Sequence, residues 1–151
     1  MDLDRYGGAS RCLLRLREND GKPGISDQAF IGQHLARHPE WSRRPGEVDL
    51  ATLFELAREL ELATGMDAYR DYARVLTEHA AGHSVLVATE RPPQQTAAEL
   101  SPQRYITLLE AMDENAFTLW CPYPSGQADV LAVARPWWDR WLCLGIVLRR
   151  G

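Results

Sequence analysis

The chain has 151 residues, 45% of them apolar and 25% charged, the profile of one ordinary globular domain, 1–151, able to bury a core. Its formal charge is -4 with a pI near 5.6, and its Lys and Arg residues are dispersed apart from short pairs such as Arg43-Arg44 and Arg149-Arg150, which argues against a nucleic-acid partner. The N-terminus lacks the basic lead and long apolar run of a signal peptide, and no segment reaches the roughly 18 apolar residues of a membrane span; the reading is a cytoplasmic protein.

Four helices are predicted first. One covers about Ala9 to Glu18, entered from Gly7-Gly8 and stopped by Asn19-Asp20-Gly21, with Cys12, Leu13 and Leu16 able to share a face. A second runs from a Ser26 or Asp27 cap to Arg37, ahead of Pro39. In the third, capped by Asp49, Leu50, Leu53, Phe54, Ala57 and Leu60 form the apolar stripe. A fourth is drawn from an Asp67 cap through Tyr69, Tyr72, Ala73, Leu76 and Ala80 to Gly82, a natural residue just past a helix end.

The period then changes to two. Ser84 to Ala88 is a short buried strand, followed by a polar loop rich in Pro and Gln. Tyr105 to Met112 and Ala116 to Trp120 flank Asp113-Glu114-Asn115, a hairpin turn by composition. Cys121-Pro122 ends that second strand, since proline removes a ladder donor and holds its predecessor extended. Val130 to Ala134 is a further short strand, Pro136 opens a short helix with Trp137, Trp138 and Trp141, and Leu142 to Leu148 closes the chain as a strand. Helices followed by strands predict an α+β fold with a small antiparallel sheet.

Three cysteines, Cys12, Cys121 and Cys143, are an odd number with no C-x-x-C pair, and in a reducing compartment such residues are mostly small buried hydrophobes. The four histidines form two i, i+4 pairs, His34 with His38 and His79 with His83. Pro39 and Gly82 place both pairs at helix C-termini, where imidazoles serve free carbonyls. Neither pair is read as a metal site, and no cofactor is expected.

This order of elements resembles the papain-like cysteine peptidases that clip double-glycine leader peptides in bacteriocin exporters, together with their stand-alone relatives. "GASRCLLRLRENDG" is similar to their nucleophile turn and first helix, and "DLATLFELARELEL" with "GHSVLVA" to their central helix and strand. "YITLLEAMDENAFTLWCPYPSG" looks like their His-led strand, acidic turn and strand ending in Asp-Pro, and "RPWWDRWLCLGIVL" like their closing helix and strand. The resemblance implies a papain-like fold in which Gly8 stands at the nucleophile position, Tyr105 at or next to the histidine, with Arg104 as the other candidate, and Cys121 at the orienting aspartate. Asp2 then falls where such enzymes carry an oxyanion-holding glutamine. A thiolate, an imidazole and a carboxylate are what this chemistry requires, and none of the three positions supplies its group.

The resemblance therefore implies a catalytically inactive peptidase-like domain that binds a peptide or protein, in an accessory or recruitment role in a bacterial system. Tyr6, Trp120, Tyr123 and Trp138 are the candidate binding aromatics, with a structural role for them equally open. Trp137 and Trp141 fall on one face of their helix and Trp138 on another, so at least one ring is expected to stay partly exposed. Two other readings stand beside this one. Cys12, near a helix start where thiol pKa values fall, is the alternative nucleophile of an active cysteine peptidase or acyltransferase. A structural or chaperone-like subunit is the third.

Overall fold

Residues 9–37, 50–89, 105–122 and 128–150 are described in the computed structural model of the protein, with backbone alone for Asp27, Gln28, Ile31, Leu35 and Tyr105. Elements follow in the order α1 (Ala9–Asn19), α2 (Asp27–Arg37), α3 (Leu50–Glu59), β1 (Gly65–Tyr69), α4 (Tyr72–Ala80), β2 (Ser84–Thr89), β3 (Tyr105–Met112), β4 (Ala116–Pro122), β5 (Ala128–Ala134), α5 (Trp137–Arg140) and β6 (Leu144–Arg149). The class is α+β. The strands form one open six-stranded sheet in the order β1-β6-β2-β3-β4-β5, with every neighbouring pair antiparallel.

Strand alternation sends apolar side chains to both faces of the sheet. Leu86 and Ala88 of β2, Ile106 and Leu108 of β3, and Ile146 and Leu148 of β6 join Cys12, Leu13, Leu16, Leu53, Leu56 and Leu60 in one buried layer under α1, α2 and α3. Val85, Val87, Leu109, Phe117, Leu119, Cys121 and Val147 face the other way and pack with Tyr72, Val75, Trp138 and Trp141 of α4 and α5. The sheet is thus the middle layer of three.

The predicted fourth helix is corrected at its start. Gly65–Tyr69 is an edge strand whose five residues pair with β6, from Gly65 opposite Arg149 to Tyr69 opposite Gly145. The helix begins at Tyr72 behind an Asp71 cap, whose carboxylate accepts from the Ala73 amide at 3.3 Å. Its buried face is Tyr72, Val75 and Glu78, while Ala73 and Ala80 are exposed. In α3 the buried residues Thr52, Leu53, Leu56 and Ala57, with Leu60 just past its end, likewise shift the stripe away from Leu50 and Phe54. β4 continues through the Cys-Pro step, pairing Pro122 with Ala128, and the last strand starts at Leu144. Ser26 is the α2 cap, its hydroxyl accepting from the Ala29 amide at 3.1 Å; the Asp49 cap and His38 lie outside the described residues.

The ends of α1, α3, α4 and α5 follow one rule. At α1, Gly21 in the left-handed region (φ 79°) lets its own amide reach the Glu18 carbonyl and the Lys22 amide reach that of Arg17. Gly82 (φ 94°) closes α4 the same way through His79 and Glu78. At α3 and α5 the equivalent positions are Glu61 (φ 59°) and Leu142 (φ 50°), with the same paired bonds to Arg58 and Ala57 and to Asp139 and Trp138. These two side chains carry strain that glycine avoids.

Candidate functional site

The site implied by the sequence lies where α1 begins, β3 begins and β4 ends. The Cys12 thiol donates to the Ile106 carbonyl at 3.7 Å, and one turn further along α1 the Arg15 Nε donates to Glu110 Oε1 at 3.0 Å. Helix and strand therefore run in the same direction. Because β4 is antiparallel to β3, with Leu108 opposite Trp120, the N-terminus of α1 points to the end of the sheet holding residues 105 and 121. Gly8, Tyr6 and Tyr123 lie outside the described residues, as does the side chain of Tyr105, whose backbone pairs with Thr89.

The two candidate thiols do not share this place. Cys12, 0% exposed, belongs to the layer beneath α1–α3, whereas Cys121, 1% exposed, faces the α4–α5 layer, so the sheet stands between them. Burial pushes the Cys121 thiol up to about 12, with the Asp129 carboxylate adding to the effect. Its sulfur sits 3.9 Å from the Leu119 carbonyl oxygen. Cys143 behaves alike, pushed up to about 12 by burial and then by Asp139. A nucleophile needs the opposite, an accessible thiol whose pKa is lowered. Among the described residues no three His, Cys, Asp or Glu side chains are grouped to hold a metal ion, and none of their helices is long and apolar enough to cross a membrane.

The aromatic candidates separate as well. Trp138 is 1% exposed and lies in the core, edge-on to Tyr72 at 5.4 Å and to Phe117 at 5.3 Å, with its indole Nε1 donating to the Arg70 carbonyl at 2.8 Å. That places Trp138 in the interior and corrects its assignment to a binding surface. Three neighbouring tryptophans cannot all point outward from one turn of helix, and the one facing the sheet fills the space between α4 and β4. Trp137 and Trp141 do share a face, 5.5 Å apart, and Trp137 is half-buried. Tyr72 completes the cage: its hydroxyl lies 2.7 and 2.9 Å from the Asp113 and Ala116 carbonyl oxygens of the β3–β4 turn, and desolvation raises its pKa, with Asp113 adding and Arg135 opposing.

Trp120 is different. It points to the α1 side, half-buried, with the Arg15 guanidinium 4.7 Å from its ring centroid, a cation–π contact worth about 0.5–1 kcal/mol at a partly exposed site. Arg15 is held by Glu110, and Glu110 owes its position to a bulge: the β3–β4 register shifts between Leu109 and Ala111, leaving Glu110 as the extra residue. The bulge also returns Met112 to the same layer as Leu109. Beside Trp120 on the same face come its cross-strand neighbour Val130, 63% exposed, then Thr118 with Ala132 and Ala116 with Ala134. Among the described residues α1–α3 cover β6, β2 and β3 and reach only as far as Trp120, leaving a shelf of small apolar side chains over β4 and β5.

A second polar constellation, unforeseen from the sequence, sits at the opposite edge. Arg149 of β6 donates through Nη1 and Nη2 to both oxygens of Glu78 at 3.2 and 3.0 Å, to the Tyr69 hydroxyl at 3.2 Å, and through Nε to Asp67. Arg74 and His83 also approach Glu78, at 3.3 and 3.7 Å. The Arg149 hydrogen bonds hold the Glu78 carboxyl below its ordinary range, and Glu78 in turn raises Arg149. The cluster ties β1, α4 and β6 together. Asp67 was the available signal, but its composition reads equally well as a helix cap.

Comparison with models of known protein families, with curated proteins and with solved structures finds no match.

Proposed function

We propose that this chain is a catalytically inactive domain of the papain-like leader-peptidase kind that holds a peptide or protein segment on the shelf around Trp120, in a recruitment role in a bacterial system. The observation that carries this reading is Trp120 itself: an aromatic ring left half-buried, oriented by Arg15, beside Val130 and two exposed alanines. Apolar shelves with one anchored aromatic and a charged rim favour a segment that lays apolar side chains down and keeps polar ones at the edge. The course of α1 along β3, with its N-terminus toward the ends of β3 and β4, supports the family reading. The burial of Cys12 and Cys121 in different layers supports inactivity.

The test uses synthetic double-glycine leader peptides as probes, titrated by calorimetry and analysed by mass spectrometry after prolonged incubation. Saturable binding, weakened on the order of tenfold or more by Trp120→Ala, with every peptide mass unchanged, is the expected result. Cleavage after the Gly-Gly pair, or binding indifferent to Trp120→Ala, contradicts the proposal.

A further inference from the structure

Glu110 is an extra residue in a ladder that has no need of it. On one side of the register shift Leu108 lies opposite Trp120 and Leu109 opposite Leu119; on the other, Ala111 lies opposite Thr118 and Met112 opposite Phe117. β4 passes through these positions without interruption, so with position 110 taken out the two halves of β3 would join in one regular register. Side-chain parity agrees. Leu108 packs in the α1–α3 layer, Leu109 and Met112 both pack in the α4–α5 layer with Leu119 and Phe117, and Ala111 falls between them on the face of Thr118 and Trp120. Counted without Glu110, Leu108 to Met112 alternates as an ordinary strand does.

A bulge leaves its extra residue unpaired and disrupts the ladder locally, and beside a functional surface it serves to re-aim a side chain. Here the side chain re-aimed is a carboxylate. Glu110 Oε1 accepts from the Arg15 Nε at 3.0 Å, and the guanidinium so held lies 4.7 Å from the Trp120 ring centroid. Arg15 is 38% exposed along its side chain, and a long side chain so open to water keeps one position only if a partner offsets its rotamer entropy. A carboxylate at Nε does this while leaving the flat face of the guanidinium for the ring. In a ladder without the bulge Leu109 and Ala111 would be neighbours, and neither carries an acceptor.

We infer that the bulge in β3 serves the Trp120 site rather than the fold, and that Glu110 is its positioning residue. Glu110 fixes Arg15, Arg15 fixes the Trp120 ring, and a ligand meets a ring that is already set. Preorganisation of this kind raises affinity by lowering the ordering cost of binding, without a new contact to the ligand. The role rests on the reading of the Trp120 shelf as a binding surface.

The test sets the full chain with Glu110 deleted beside Glu110→Ala and Arg15→Ala. In urea unfolding the deletion variant is expected to fold cooperatively and to match the stability of Glu110→Ala; a deletion variant that fails to fold overturns the inference, because the bulge then belongs to the fold. In fluorine NMR of protein labelled with fluorotryptophan, the Trp120 signal, assigned by its loss in Trp120→Phe, is expected to move alike in Glu110→Ala and Arg15→Ala, while those of Trp137, Trp138 and Trp141 stay in place. A Trp120 signal unmoved by Glu110→Ala overturns the inference. In calorimetry with the leader peptides, Glu110→Ala is expected to lower affinity about two- to fivefold, the worth of one cation–π contact, and to lower it no further when added to Arg15→Ala. Additive losses overturn the inference, since Glu110 then acts on the ligand directly. Binding by the wild type that is indifferent to Glu110→Ala overturns the role of Glu110 and leaves the shelf standing; absence of binding by every protein, wild type included, overturns the shelf and the role together.

Discussion

The two faces of the sheet are closed by different means. On the α4–α5 side the core is aromatic and pinned by hydrogen bonds: Trp138 bonds the Arg70 carbonyl, Tyr72 bonds the β3–β4 turn, and Phe117 lies between them. On the α1–α3 side the packing is aliphatic apart from Phe30, and among the described residues its cover ends at Trp120, whose ring lies against the Arg15 of an Arg15–Glu110 ion pair. Successive residues of one strand take part in both: Trp120 faces the open side, and Leu119 and Cys121 face the closed one.

The largest contrast is between the two tryptophans. Trp138→Ala removes a fully enclosed ring together with its hydrogen bond and is expected to lower unfolding free energy by about 3–5 kcal/mol. Trp120→Ala forfeits a half-buried ring and one cation–π contact, and is expected to cost under about 2 kcal/mol. Urea unfolding of the two variants measures both, and equal losses would erase the distinction between the faces. Next comes Gly145, where an added Cβ would lie 2.5 and 2.9 Å from the two methyl groups of Val75 and 3.3 Å from its Cβ. Gly145→Ala is expected to cost about 1–3 kcal/mol by overpacking, and the Val75→Ala, Gly145→Ala double variant to cost less than the sum of the two singles.

The Arg149 cluster gives the closed face a pH dependence. The Glu78 carboxyl is held below its ordinary 4.5 by Arg149, so its contribution is complete above that value and is lost as pH falls through the lower, folded pKa. His79, pushed below its ordinary 6.5 by burial with Glu110 opposing, acts in the same direction, because the unfolded chain takes up its proton first as pH drops. Thermal midpoints of the protein and of Glu78→Gln should differ most near neutrality and converge in acid. A gap that persisted undiminished in acid would remove Glu78 from this role. The smallest effects belong to the helix ends: Glu61→Gly and Leu142→Gly should each stabilise by up to about 1 kcal/mol, by relieving a left-handed side chain.

Much of this fold is legible in the sequence because its signals are local. Gly21, Ser26, Gly82 and Pro136 each mark a helix boundary where the structure has one. Glu61 and Leu142 perform the same task as the glycines, but nothing in a glutamate or leucine announces a positive φ. The strand β1 is hidden in the sequence because an Asp67 cap followed by Tyr69 and Tyr72 fits a helix, while the bonds that make 65–69 a strand come from β6, some eighty residues later. The bulge at Glu110 is invisible for a similar reason, since it depends on the register of two strands together. At the candidate site the residue types at positions 8, 105 and 121 could be read directly from the sequence, and so could Trp120. Which aromatic faced outward could not: strand parity and helix rotation sent Trp138 into the core.

The proposed inactivity rests on the burial of Cys12 and Cys121 in different layers and on a Cys121 thiol pushed up to about 12 by desolvation. Iodoacetamide labelling of the native protein at neutral pH, read by peptide mapping, tests it most directly. Cys12, Cys121 and Cys143 are expected to label slowly and together, at the rate the whole fold opens, and rapidly only in denaturant. Fast, selective modification of Cys12 in the folded protein would contradict it.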